Sequence, residues 1–140
     1  MGLIYAEVLL SNAEDDGLAR RGFIKKDEIR RGTFNAMVDT GAYMMVISEH
    51  IRLQLGLEIV EEREVELADG TFRKIPMAGP INVRFEKRLA ICHAFILGSE
   101  VLLGAIPLEE LDVMVDPKKQ RLIVNPENPM MPKMKIKKVL

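Results

Sequence analysis

The residues best suited to chemistry in this chain are Asp39, Thr40, Gly41 and Ala42, which close the run Ala36-Met37-Val38-Asp39-Thr40-Gly41-Ala42. An apolar strand that ends in a carboxylate holds that carboxylate rigidly at the edge of the core. Gly41 has no side chain, so backbone or substrate can approach closely. Thr40 can donate or accept a hydrogen bond that locks the loop. A carboxylate held this way can serve as a general acid or base. By itself the triplet fits two readings, a polar turn or a catalytic loop.

Other reactive side chains are scattered. His50 and His93 lie far apart, with no Asp or His partner at ligand spacing, so both read as structural or surface residues and no metal site is expected. The single cysteine, Cys92, excludes an internal disulfide and a Cys-cluster zinc site. It lies in an apolar strand and reads as a small buried hydrophobe. Neighbouring His93 would point to the opposite face of that strand and is poorly placed to act as its base. The nine methionines read mainly as core filling, although Met44, Met45, Met130 and Met131 could line an apolar cleft. Arg30-Arg31 and Glu61-Glu62-Arg63-Glu64 read as solvated faces.

The elements that would position Asp39 are mostly strands. Ile4, Ala6, Val8 and Leu10 alternate with Tyr5, Glu7 and Leu9 as a half-buried strand. Residues 11–22 are polar and turn-rich, and Ile24 to Arg31 could be a hairpin strand or a surface loop. Phe34 to Val38 is a buried strand ending at Asp39, and Tyr43 to Ile47 is a second apolar run. Ser48 caps a short helix through Leu55, closed by Gly56. Ala68-Asp69-Gly70-Thr71 joins two extended runs as a hairpin turn, where Asp-Gly is favoured by turn geometry alone. A turn at Gly79-Pro80 precedes the alternating Ile81-Val83-Phe85, and Leu89 to Leu97 is another strand. After Glu100 to Leu103 the chain stops at Gly104. Pro107 opens a helix over Leu108 to Leu111, and a last hairpin joins Val113–Asp116 to Leu122–Val124. Many short strands with one or two short helices predict an all-β closed or folded barrel.

The 140 residues suit one domain. We place it at 1–125, with 126–140 as a tail. In the tail, Met134 and Ile136 alternate with Lys135 and Lys137, as an extra strand or a disordered basic end. Twenty Lys and Arg against 21 Asp and Glu leave a net charge of −1, with no global field to hold nucleic acid or an anionic membrane. No apolar run approaches the ~20 residues of a membrane span. The N-terminus lacks a basic n-region and a cleavage site, and Ala6 stands where a myristoylation signal needs Ser or Thr. A cytoplasmic protein is expected.

Four features in order give the chain a resemblance to the retropepsin-like (retroviral-type, clan AA) aspartic proteases, over roughly residues 2–125. They are the strand Leu3–Leu10, then Val38-Asp39-Thr40-Gly41-Ala42 with its helix and Leu55-Gly56-Leu57. Leu67-Ala68-Asp69-Gly70-Thr71 follows, and then Val101-Leu102-Leu103-Gly104 with helix and hairpin. The small prokaryotic members look closest. The resemblance implies an acid-protease barrel, active as a homodimer in which two copies of Asp39 share one proton and activate water, with no metal or cofactor. It implies that Thr40 bonds across the dimer, that Gly41 and Ala42 lie along the substrate backbone, and that Ala68 to Thr71 form the flap over a peptide. The tail would add a strand to the dimer interface. Two departures stand out. Tyr43 and Met44 replace the acidic residues that follow the signature in retroviral members, and Ala105 replaces the Arg after Gly104. A catalytically inactive dimerisation or peptide-binding module of the same fold is the alternative. An aspartate-nucleophile phosphatase is disfavoured, because Gly41 stands where its loop needs a second Asp.

Overall fold

The computed structural model describes residues 3–136. Strand β1 (Ile4–Asn12) buries Ile4, Ala6, Val8 and Leu10, as their period-two spacing predicts. It pairs antiparallel with β2 (Arg31–Val38), Ile4 opposite Val38 and Ser11 opposite Arg31. After β3 (Met45–Ile47) comes helix α2 (Glu49–Leu55). Ser48 Oγ accepts the Ile51 N–H at its start, and Gly56 closes it in the left-handed conformation. The long pair β4 (Glu58–Glu66) and β5 (Phe72–Phe85) follows, then β6 (Arg88–Ile96) and β7 (Val101–Leu103). Helix α3 (Ala105–Leu111) and the hairpin β8 (Val113–Asp116) and β9 (Arg121–Val124) end the ordered elements.

Six strands close into a ring, β1-β2-β7-β3-β6-β5, because β1 also pairs with β5 from Leu9 opposite Arg84 to Asn12 opposite Ile81. The ring is a closed β-barrel, as expected. Strand β4 hangs outside it on β5 alone, and β8–β9 form a separate two-stranded sheet. Leu10, Met45, Ile47, Leu55, Ile81, Leu103 and Leu111 fill the interior. Each such side chain contributes roughly 1.5–3 kcal/mol through burial. Among the described residues no helix is long and apolar enough to cross a membrane.

Several sequence expectations need correction. The stretch expected to be a turn-rich loop contains helix α1 (Ala13–Arg20), so among the described residues three short α-helices accompany the strands rather than one or two. Asn12 Oδ1 accepts the N–H groups of Glu14 (3.0 Å) and Asp15 (3.1 Å), and three acids occupy the positive first turn. Between α1 and β2 the chain is a loop with a single 3-10 turn (Lys26–Glu28), and β2 starts at Arg31 rather than Phe34. Gly79-Pro80 is no turn. It lies inside β5, where the pairing with β6 slips between Ala78 and Ile81 because Pro80 has no N–H to donate. Helix α3 starts at Ala105, with Pro107 inside it, rather than at Leu108. In the tail, Met134 to Ile136 form no strand in the single chain, and Lys137 and beyond lie outside the described residues.

Candidate functional site

Asp39 continues β2 by one residue. Its N–H donates to Leu103 O at 3.0 Å, so the β2–β7 pairing runs to the carboxylate's own backbone. The chain then turns sharply. Asp39 Oδ1 accepts the Gly41 N–H at 3.0 Å, and Asp39 O accepts the Ala42 N–H at 3.2 Å. The carboxylate is half-buried, while Thr40 and Gly41 are exposed.

The far side of this loop is clamped by the start of α3. The Ala105 N–H donates to Ala42 O at 2.8 Å and the Ile106 N–H to Tyr43 O at 2.9 Å. These donors belong to the first turn of a helix, which has no partners of its own for them. Gly104 makes the approach possible, since a Cβ there would stand 2.7 Å from Ala42 O. Of Tyr43 and Met44, departures noted in the sequence, Tyr43 therefore joins the clamp through its main-chain carbonyl, and the Met44 carbonyl packs against Gly104. Thr40 borders a cavity of about 270 Å³ whose walls include Ala105, Leu108, Met114 and Leu122.

Ala68, Asp69, Gly70 and Thr71 form the turn of the β4–β5 arm. Asp69 Oδ1 accepts the Thr71 N–H (3.0 Å) and hydroxyl (2.6 Å), and Leu67 N–H donates to Thr71 O at 2.8 Å. The Thr71 hydroxyl, with the Thr71 N–H next, holds the Asp69 carboxyl below its ordinary range. The tip is exposed, and β4 is exposed along most of its length. Among the described residues no hydrogen bond joins this turn to the Asp39 loop. The structure thus brings Asp39 to Ala42 together with Gly104 to Ile106, and leaves Ala68 to Thr71 as a separate arm.

The remaining candidates are simple. Cys92 is buried against Met45, its sulfur 3.8 Å from the thioether, and burial pushes the thiol up to about 12. His50 is exposed and His93 half-buried. Among the described residues no three His, Cys, Asp or Glu cluster as metal ligands. Met45 fills the core, whereas Met130 is 90% exposed.

Sequence reasoning missed two polar centres. Asp112 sits in the left-handed conformation after α3 and accepts from Asn125 Nδ2 (3.0 Å), Asn128 Nδ2 (2.7 Å) and Lys133 N–H (3.0 Å). Arg88, buried beside it, donates to the carbonyls of Leu111, Asp112 and Asn128. Together they tie the tail to the barrel, and Arg88 borders a cavity of about 680 Å³ with Tyr5, Arg121 and Met130 that does not include Asp39. The second centre is buried Asp16 on α1. It accepts from Ser11 Oγ (2.6 Å) and Asn82 Nδ2, with Arg84 at 3.6 Å. The only readable signals were acids next to an Asn cap and a charged residue just past a helix end.

No protein-family model matches the sequence, and no curated protein does. The fold has clear counterparts among solved structures. The retroviral protease-like domain of Ddi1 from Leishmania major superposes with a TM-score of 0.57, at 14% identity, over 90% of each chain. The EIAV protease complexed with the inhibitor HBY-793 gives a TM-score of 0.57 and 14% identity, over 82% of this chain and 93% of the other. With its closed six-strand ring and β4 paired outside it on β5, the chain has the retropepsin-like fold.

Proposed function

We propose that the protein is an aspartic endopeptidase that works as a homodimer and hydrolyses peptide bonds with two copies of Asp39. The carrying observation is the position of Asp39, at the end of a core strand on a turn clamped by Ala105 and Ile106. Two carboxylates brought together cannot both ionise cheaply, so the pair holds one proton. The ionised Asp39 takes a proton from water while the water oxygen bonds to the scissile carbonyl carbon. The protonated Asp39 gives its proton to the carbonyl oxygen. When the C–N bond breaks, the amine leaves with the proton taken from water, and a hydroxyl of the tetrahedral intermediate returns its proton to the other Asp39, so the pair again holds one proton. Thr40 bonds across the two-fold axis, and Gly41 and Ala42 lie along the substrate backbone. The Ala68–Thr71 turn closes over a peptide bound as an extended strand. Residues 1–125 form the protease domain and 126–140 a tail that adds a strand to the interface.

The test pairs a sedimentation series over protein concentration with a peptidase assay of wild type and Asp39→Asn. A dimer whose activity disappears with Asp39→Asn supports the reading; a monomer at every concentration, or an unaffected Asp39→Asn, overturns it. The exposed Tyr43, in place of a substrate-binding acid, favours one second reading. In it the dimer binds peptide without cutting, and intact peptide recovered from the wild-type complex would identify that case.

A further inference from the structure

The near-zero net charge conceals a local asymmetry. The seven residues Arg20-Arg21-Gly22-Phe23-Ile24-Lys25-Lys26 carry four cations and no acid. All four cationic side chains are exposed, and among the described residues none enters an ion pair. Between them Phe23 stands 73% exposed, with Leu18 beside it at 41%. Asp27 and Glu28 follow, but Glu28 turns back to accept the Lys25 N–H at 2.9 Å.

This tip is built, not loose. The end of α1 is closed by Phe23 N–H to Leu18 O (2.9 Å) and Gly22 N–H to Ala19 O (3.1 Å). At its base Arg30 grips Asp15 with Nε (2.8 Å) and Nη2 (2.9 Å), and Asn12 N–H donates to Arg30 O at 2.9 Å. Buried Asp16 anchors the helix to β1 and β5. So much buried polar structure beneath an exposed aromatic and four unpaired cations gives the tip a fixed shape.

We infer that this tip docks the protein on an anionic lipid surface, Phe23 entering the interface and Arg20, Arg21, Lys25 and Lys26 meeting the headgroups. An apolar side chain flanked by clustered cations suits such a surface, where each cation raises partitioning about fivefold. A bound peptide or nucleic-acid strand would need a groove that the cations share. A cavity of about 290 Å³ along α1 touches Arg20 and Arg21 but not Phe23, Lys25 or Lys26. Strand β2 runs from the base of the tip at Arg31 to Val38, roughly 23 Å at the usual strand rise. Docking therefore leaves Asp39 at the opposite end, free of the lipid. The inference does not depend on what Asp39 does.

The test is sedimentation of the full chain with phosphatidylcholine vesicles, with and without about 30 mol % phosphatidylserine. Binding to the anionic vesicles alone is expected, weakening with salt. It should fall at least tenfold in Arg20→Gln/Arg21→Gln/Lys25→Gln/Lys26→Gln and in Phe23→Ser, both checked for folding by circular dichroism. Lys118→Gln/Lys119→Gln, on the β8–β9 turn, should bind as wild type. No binding to anionic vesicles, an equal loss in the control, or tip-dependent binding to a single-stranded oligonucleotide without vesicle binding would overturn it.

Discussion

Gly104 and Ala42 meet so closely that a methyl group on residue 104 would stand 2.7 Å from the Ala42 carbonyl oxygen, and closer still to that of Met44. This contact, with two backbone hydrogen bonds from α3, sets the path of the chain after Asp39. Gly104→Ala must push the loop or the helix aside. It should lower stability by about 1–3 kcal/mol, measured by denaturant unfolding, and reduce the proposed peptidase activity more than the stability loss accounts for. An unchanged midpoint would mean that the clamp yields freely.

Asp39→Asn separates fold from chemistry. Among the described residues the carboxylate's only hydrogen bond is from the Gly41 N–H, which an amide oxygen can also accept. Thermal stability should stay close to wild type while the proposed peptidase activity falls by roughly 10²–10⁴-fold or to background.

Asp16 is held by Ser11, Asn82 and Arg84, and all but Arg84 are buried. Asn82 Oδ1 is the one buried side-chain polar atom without a partner among the described residues, so this cluster already lacks one donor. Asp16→Ala leaves a hydroxyl and an amide unmatched and should cost about 3 kcal/mol. Hydrogen exchange should speed up in α1 first; a uniform change across the barrel would contradict the placement.

Acid should release the tail. The Asn125 side chain, then the Lys133 N–H and Asn128, hold the Asp112 carboxyl below its ordinary value. A carboxyl lowered by folding adds stability above its unfolded value, ~3.9, and loses it as pH falls through the folded value. Limited proteolysis across 126–133 should be slow near neutrality and faster below about pH 4. In Asp112→Ala it should be fast at both. Equal rates for wild type and variant near neutrality would show that Asp112 does not hold the tail.

What the sequence determined by itself is what depends on neighbours in the chain. Alternation in β1 placed Ile4, Ala6, Val8 and Leu10 inward, because side chains of a strand alternate faces. Ser48 and Gly56 delimited α2, because capping is satisfied within a few residues. Asp39 at the end of an apolar strand and the Asp69-Gly70 turn were legible for the same reason.

Only the tertiary structure decided what needs partners far along the chain. Helix α1 looked like a loop because Asp15 and Asp16 are poor interior residues until Arg30 and Asn82 reach them. Gly79-Pro80 looked like a turn because the β5–β6 slip that accommodates it depends on strand pairing. The closing of the ring through β1 and β5, the Asp112 and Arg88 anchor, and the Gly104 clamp beneath Asp39 all join segments that no local pattern connects. Burial there is set by the whole fold, since a polar group leaves water only where another segment supplies its hydrogen bonds.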